Sequence, residues 1–279
     1  MGIRLWISVD MEGAAGIAGR EQLIPGERLY PEGRQRVLAD LQVVLDAALA
    51  DPGVEPPVVV NDAHDGMLNL SWADLPAGVE LVAGGTKPGT MTYGVEEADL
   101  AFFLGYHAMA GTAGAVMDHT YAGEVFQVRI NGREAGETGI NALVAGAYGV
   151  PVGLVTGDEA VCREARAWLP EAVLVPVKAG VGRRSARLYP RAAVEPALRA
   201  GVEAALAAYR AGVLAPLAWD PPLRLEVTWM TTDMADRAQT APGAVRTGGR
   251  SLRYEAASAP ELLRALLTWL MLAGGRPLY

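Results

Sequence analysis

Short runs of apolar and β-branched residues alternate along the chain with longer stretches of helical periodicity. This alternation predicts a mostly parallel sheet covered by helices, because a helix usually connects two parallel strands. The predicted strands are Ile3–Val9, Pro57–Val60, Val79–Val82, Leu100–Leu104, Val125–Ile130, Val152–Thr156 and Val173–Val177. The predicted helices are Gly33–Ala50, Thr138–Tyr148, Glu159–Trp168 and Ala192–Ala211. The expected fold class is therefore α/β.

The pattern changes beyond Pro216, where Asp220-Pro221-Pro222 resembles a connector. Two further strands are predicted at Leu223–Met230 and Leu252–Ala256, followed by a helix over Pro260–Leu272. We therefore expect a catalytic α/β domain over residues 1–215 and a smaller C-terminal α+β portion over residues 216–279. The pattern leaves open whether this portion is a subdomain or a late extension of the main sheet.

The last predicted helix is unusually apolar. Between residues 261 and 272 only Glu261, Arg264 and Thr268 are polar, and at helical spacing they form one narrow stripe. The segment is too short to cross a membrane, so protein must cover its apolar face. The cover is either the sheet of the same chain or a partner.

Composition excludes several classes of function. The formal charge of -8 over 279 residues argues against nucleic acid as a partner. No run reaches the roughly 18 apolar residues of a membrane span, and Leu5–Val9 is too short for the core of a signal peptide. The single cysteine, Cys162, lies in a predicted helix, where we expect a core residue in a reducing compartment. We therefore expect a soluble, cytoplasmic protein without membrane partners.

All three histidines lie close together in the sequence, each just past an apolar run or a glycine-rich turn. They are His64, His107 and His119, and the acidic pair Asp10 and Glu12 ends the first apolar run. Side chains at the carboxyl ends of strands in one sheet can converge beyond one edge. Imidazoles and carboxylates are common ligands of transition metals. The sequence therefore predicts a site for one or two divalent metal ions.

Each signal has an ordinary structural alternative. Asp10 and Glu12 are two residues apart, which places both on one side of an extended backbone, but acids and glycines also cluster in solvated turns. The histidines could be satisfied loop residues. Glu137 opens a predicted helix, where a carboxylate favourably faces the helix dipole, and Asp158 has the position of a helix cap. Phosphate-binding glycine loops and the G-x-S-x-G motif of serine hydrolases are missing from the sequence.

Five motifs in order between residues 8 and 158 resemble those of one family. They are SVDMEGAAGI, NDAHDGM, GYHAMAGTAGAVMDHT, NGREAGETGINA and VPVGLVTGD. This set is similar to the zinc-dependent D-aminopeptidases that are encoded with bacterial dipeptide-transport genes. Five separated motifs in the right order make the resemblance specific.

The resemblance implies a site with two zinc ions and assigns its residues. Asp10 matches the acid that bridges both ions, and no ligand position is substituted. The ligands of one zinc are matched by Glu12 and His64, those of the other by His107 and Glu137, and the catalytic histidine by His119.

The resemblance also implies an activity and an assembly. Two zinc ions can polarise a peptide carbonyl and lower the pKa of a shared water, which yields a hydroxide nucleophile. We expect an aminopeptidase that removes N-terminal, D-configured residues from short peptides, with Asp62 or Asp65 holding the substrate ammonium. Relatives form large closed homo-oligomers, which implies a decamer here and favours a partner chain as the cover of the apolar helix face over residues 261–272. The alternatives are a dinuclear metallohydrolase for another amide, a lactone or a phosphoester, and a metal-dependent peptide-binding accessory protein.

Overall fold

A computed structural model describes residues 2–85 and 87–274 of the chain. Its main sheet contains β1 (Leu5–Val9), β2 (Val58–Asp62), β3 (Val79–Val82), β4 (Leu100–Tyr106), β7 (Val152–Asp158), β8 (Val173–Gly182) and β9 (Ser185–Leu188). The strands lie in the order β3-β2-β1-β4-β7-β8-β9, and all neighbours are parallel except the hairpin of β8 and β9. The predicted fold class is confirmed.

A second sheet is antiparallel. It contains β5 (Val125–Ile130), β6 (Arg133–Glu134), β10 (Leu223–Trp229), β11 (Val245–Arg246) and β12 (Ser251–Ala256) in the order β11-β12-β10-β5-β6. Because β5 pairs with β10, this sheet joins chain segments on both sides of residue 215. The α+β character of the C-terminal portion is confirmed, whereas the division at residues 215 and 216 stays a prediction.

The helices agree with the predicted positions to within a few residues. They are α1 (Tyr30–Leu49), α2 (Glu137–Ala147), α3 (Glu159–Trp168), α4 (Arg191–Arg210), α5 (Thr232–Ala238) and α6 (Ala259–Gly274). The short α5 has no counterpart in the predictions. Asp158 caps α3 by accepting a hydrogen bond from the Val161 N–H, as expected. Cys162 is buried in the same helix, and burial raises the pKa of its thiol to about 12, which is consistent with a core residue.

The central strands are buried on both faces. In β1, Leu5, Ile7 and Val9 belong to the core under α1 and α4, while Trp6 belongs to the core shared with α2 and the antiparallel sheet. Successive side chains of a strand point to opposite faces, so a strand between two layers needs apolar residues at every position. This explains the continuous apolar runs. Because the strands are parallel, the residues that follow them lie at the same edge of the sheet.

Helix α6 buries its main apolar face within the chain. Leu262, Leu263, Leu266 and Trp269 are almost fully buried, and the helix packs against α2, α5, β10 and β12. Met271 near its end remains 42% exposed. The chain itself therefore covers most of this face, and the expectation that a partner chain covers it is wrong for these four side chains. Among the described residues, no helix is long and apolar enough to cross a membrane.

Candidate metal centre

The candidate site lies at the carboxyl edge of the main sheet, where the strand order reverses. Strand β1 has β2 on one side and β4 on the other, which makes it the switch point where open α/β sheets bind ligands. Asp10 follows β1, His64 lies just beyond β2, and His107 follows β4 directly. Glu137 opens α2. The structure thus brings together residues that are far apart in sequence.

One half of the site is formed around His64. Its Nδ1 lies 2.9 Å from Oε2 of Glu12 and 3.3 Å from Oδ1 of Asp10. Its Nε2 is 3.0 Å from the carbonyl oxygen of Leu23, to which it donates a hydrogen bond. Burial lowers the pKa of His64, but Glu12 and Asp10 outweigh it and raise this pKa well above the usual value, so Nδ1 faces the two carboxylates as the nitrogen that would exchange its proton for a metal ion.

The other half is formed around His107. Its Nε2 lies 3.3 Å from Oε1 of Glu137 and 3.5 Å from Oδ2 of Asp10. Its Nδ1 lies 3.0 Å from the carbonyl oxygen of Ala108, which fixes the ring in the same way. Asp10 therefore directs one carboxylate oxygen toward each half of the site.

His119 lies beside the second half. Its ring stacks on that of His107 with a centroid distance of 3.9 Å, and its Nε2 is 3.7 Å from Oε1 of Glu137. Its Nδ1 is 2.8 Å from the carbonyl oxygen of Met117. The side chain is 23% exposed, whereas those of the five predicted ligands are nearly inaccessible. His119 therefore lies at the open side of the site, close enough to Glu137 and His107 to share a ligand with them.

The donor set fits a divalent cation. Three carboxylates and two imidazole lone pairs converge, and Oδ2 of Asp10 and Nε2 of His107 are buried without a well-formed hydrogen bond to any described residue. Buried acceptors that face one another repel unless a cation lies between them. Imidazole together with carboxylate favours a borderline metal such as zinc over magnesium.

The electrostatics of Asp10 and Glu12 agree with this requirement. Burial and the negative charge of Glu12 together raise the pKa of Asp10 to about 7. Burial acts on Glu12 as well, but the adjacent His64 outweighs it and holds the pKa of Glu12 well below its usual value. A bound dication would stabilise the charged form of both acids.

Comparison with known proteins agrees with this geometry. The family model for D-aminopeptidase matches residues 3–268. A D-aminopeptidase of Bacillus subtilis (strain 168) is 33% identical over 275 residues, which cover 97% of this chain and 98% of that protein. A similar solved structure is that of the Zn-dependent D-aminopeptidase DppA from Bacillus subtilis, a self-compartmentalizing protease. It is 31% identical, has a TM-score of 0.92, and matches 98% of both chains. The chain belongs to the D-aminopeptidase family.

Membership of this family confirms the resemblance found in the motifs and the prediction of an enzyme. The chain is a hydrolase of the aminopeptidase type. The family does not by itself assign a role to each side chain, so the roles of Asp10, Glu12, His64, His107, Glu137 and His119 remain proposals that rest on the geometry above.

One expected role is wrong for Asp62. Its carboxylate accepts hydrogen bonds from the N–H groups of Asn69 and Leu70 and from Nδ2 of Asn69. This buried carboxylate is committed to shaping the loop after β2, so it is not free to hold a substrate ammonium. Asp65 is exposed in the same loop. The second ring nitrogen of His64 faces the carbonyl of Leu23 rather than either of these acids.

Tyr121 and Asn141 support the site but carry no sequence signal. The N–H of Tyr121 donates a 2.6 Å hydrogen bond to Oε1 of Glu137, with the backbone of Tyr121 in the left-handed region at φ 62°. Its hydroxyl lies 2.6 Å from Oδ1 of Asn141, whose amide reaches Tyr106. These contacts fix the orientation of Glu137, as partners of metal ligands commonly do.

We predict that Asp10→Ala abolishes metal binding, because Asp10 directs an oxygen into each half of the site. The measurement is elemental analysis after equilibration with zinc and removal of free metal. The exposed Asp65→Ala variant is the matched control and should retain the wild-type metal content. Retention of the wild-type metal content by Asp10→Ala would contradict a role of Asp10 in both halves of the site.

Proposed function

We propose that the chain is a dinuclear zinc aminopeptidase that removes N-terminal, D-configured residues from short peptides. The observation that carries the proposal is the two-sided environment of Asp10. Its Oδ1 faces Glu12 and His64, and its Oδ2 faces His107. A single metal ion would need only one of these halves. The zinc dependence of the similar solved structure supports the choice of metal.

In this proposal the five predicted ligands hold the metal ions, and a separate residue transfers protons. Bound zinc supplies Lewis acidity, which polarises a peptide carbonyl and lowers the pKa of a coordinated water. The backbone carbonyls of Leu23 and Ala108 hold the rings of His64 and His107 with one nitrogen each toward the site. This prior orientation avoids the cost of ordering the ligands when substrate binds.

His119 is proposed as the proton-transfer residue. Burial and the neighbouring His107 lower its pKa below the usual value, so its neutral form prevails at neutral pH. The Nε2 atom, free of a backbone partner, would accept the proton that the attacking water loses and deliver it to the amine nitrogen as the peptide C–N bond breaks. The carbonyl of Met117 holds the other nitrogen and keeps the ring aligned for both steps.

The activity is tested with D-alanine and L-alanine p-nitroanilides. Chelator-treated protein should be inactive, added zinc should restore release of the chromophore, and the D-substrate should be cleaved faster because the relatives are D-aminopeptidases. The measurement is the initial rate at fixed zinc. Asp10→Ala, treated in the same way, controls for zinc-catalysed hydrolysis.

Full activity after removal of all metal would exclude the metal-dependent mechanism. Faster cleavage of the L-substrate would leave the mechanism intact and reverse the proposed stereopreference.

His119→Phe separates proton transfer from metal binding. The phenyl ring can keep the stacking on His107 but offers no nitrogen, so we expect unchanged metal content and a rate lower by about 10²- to 10⁴-fold. His107→Ala is the comparison variant and should lose metal. If His119→Phe lost metal as readily as His107→Ala, His119 would be a ligand instead.

Assembly into a closed homo-oligomer, with the decamer as the expected form, is part of the proposal. A similar solved structure is described as a self-compartmentalizing protease. In this chain Leu68 and Trp72, in the loop beyond His64, are 69% and 76% exposed. Contiguous exposed apolar patches mark contact surfaces, and we propose that these two side chains belong to one. A closed chamber would admit short peptides and exclude folded proteins.

Light scattering tests the assembly. We expect a mass many times that of the 29.3 kDa chain, and we expect Trp72→Asp to lower it. The conservative Trp72→Phe is the control and should leave the mass unchanged. A monomer at micromolar concentration would contradict the assembly and leave the metal site untouched.

A further inference from the structure

Lys178 on β8 is one of only two lysines in the sequence, and its side chain is fully buried. Its Nζ lies 2.5 Å from the carbonyl oxygen of Glu12, 2.9 Å from that of Ala14 and 2.8 Å from that of Ile17. An ammonium has three N–H donors, and each has one carbonyl acceptor here. No carboxylate among the described residues forms an ion pair with it.

A buried ammonium without a direct ion pair is costly, so this arrangement is not an ordinary way to fill a core. The carbonyl groups must turn inward to face Nζ, and Lys178 therefore fixes the course of the loop over residues 12–17. Asp40 contributes from α1 by accepting a 2.7 Å hydrogen bond from the N–H of Ala15. Two buried side chains of opposite charge thus hold one loop.

The two metal-binding acids near this loop are held in different ways. The N–H of Asp10 donates to the carbonyl of Leu104, so β4 positions this residue directly. Glu12 lies beyond that pairing, and its own carbonyl is one of the three that Lys178 holds. Gly13 follows, packed so closely on β4 that a Cβ atom there would lie 1.8 Å from the carbonyl oxygen of Tyr106. Between these fixed points, Lys178 sets the backbone from which the Glu12 side chain extends to His64.

We propose that Lys178 is a positioning residue that sets the metal affinity of the Glu12 and His64 half of the site. It leaves the half formed by His107 and Glu137 largely unaffected, because those residues come from β4 and α2. The inference rests on the proposed two-zinc function. It concerns binding rather than turnover, and it is therefore testable without an activity assay.

The test is a zinc titration of the metal-free protein against a chromophoric chelator, which resolves the affinity of each site. Lys178→Met keeps the length of the side chain and removes its donors. We expect one site with wild-type affinity and one weakened by about 10- to 100-fold, the range found when partners of metal ligands are removed. Lys178→Gln retains a neutral donor group, should be affected less, and serves as the second variant if the methionine variant does not fold.

Val177→Ala is the matched control, since Val177 is the buried neighbour of Lys178 on the same strand. It should lower thermal stability and leave both affinities unchanged. In the His64→Ala background, Lys178→Met should cause little further loss of zinc affinity, because both substitutions act on the Glu12 and His64 half. In the His107→Ala background, Lys178→Met should weaken zinc binding at the Glu12 and His64 half that remains, because the two substitutions act on different halves.

The outcomes separate the inference from the proposed function. Unchanged zinc affinities in both Lys178 variants, or an equal loss of affinity at both sites, would overturn the positioning role of Lys178. The two-zinc function would still stand in that case if the wild-type protein binds two ions. Wild-type protein that binds fewer than two ions would overturn the dinuclear function and the inference with it.

Discussion

The constraint on which the site depends is the burial of three carboxylates beside two imidazole lone pairs. Asp10, Glu12 and Glu137 are almost inaccessible to water, and the ring nitrogens of His64 and His107 face them. Such a group of acceptors is stable only with cations among them, either protons or metal ions. Without a metal ion, the surrounding carboxylates outweigh burial and raise the pKa of His64 and His107 well above the usual value, so protons can stabilise the group. The carbonyls of Leu23 and Ala108 hold one N–H of each ring, so the nitrogen that would give up its proton to a metal ion is the one that faces the carboxylates.

The fold brings these acceptors together by allowing its backbone segments to approach closely. Gly13 lies against the end of β4, with its N–H 2.7 Å from the carbonyl oxygen of Gly105. Gly105 itself has φ +71°, and a Cβ atom there would lie 2.3 Å from the carbonyl oxygen of Asp10. Larger residues at either position would separate β1 from β4 at the place where Asp10 meets His107. The glycines of these two motifs are therefore explained by contact between main chains.

Sequence reasoning predicts the parts of this site that are local. A histidine or acid just beyond an apolar run is visible at Asp10, His64 and His107, because the end of a parallel strand is encoded by its own residues. Tyr121 and Lys178 could not be found in that way. Tyr121 acts through its backbone N–H, and Lys178 acts on carbonyls more than 150 positions earlier in the chain. Neither contact leaves a pattern in the residues around it.

The same distinction explains the outcome for the second sheet. The pattern predicts β5 as a strand, but its neighbours β10 and β6 are set by long-range packing. The sequence of α6 likewise shows that its apolar face must be buried, but not against what. Only the structure shows that its leucines pack against α2, α5 and the antiparallel sheet.

His119 differs from the other two histidines in exposure rather than in orientation. All three rings have one nitrogen held by a backbone carbonyl and the other directed toward acids. His119 alone lies at the open side, at a longer distance from its carboxylate, and stacks on a neighbour that lowers its pKa. A ligand must keep its lone pair on the metal, whereas a proton carrier must release what it binds and reach the substrate. The weaker contact and the access to solvent fit the second requirement, so one arrangement of ring and backbone carbonyl is consistent with both of the proposed roles.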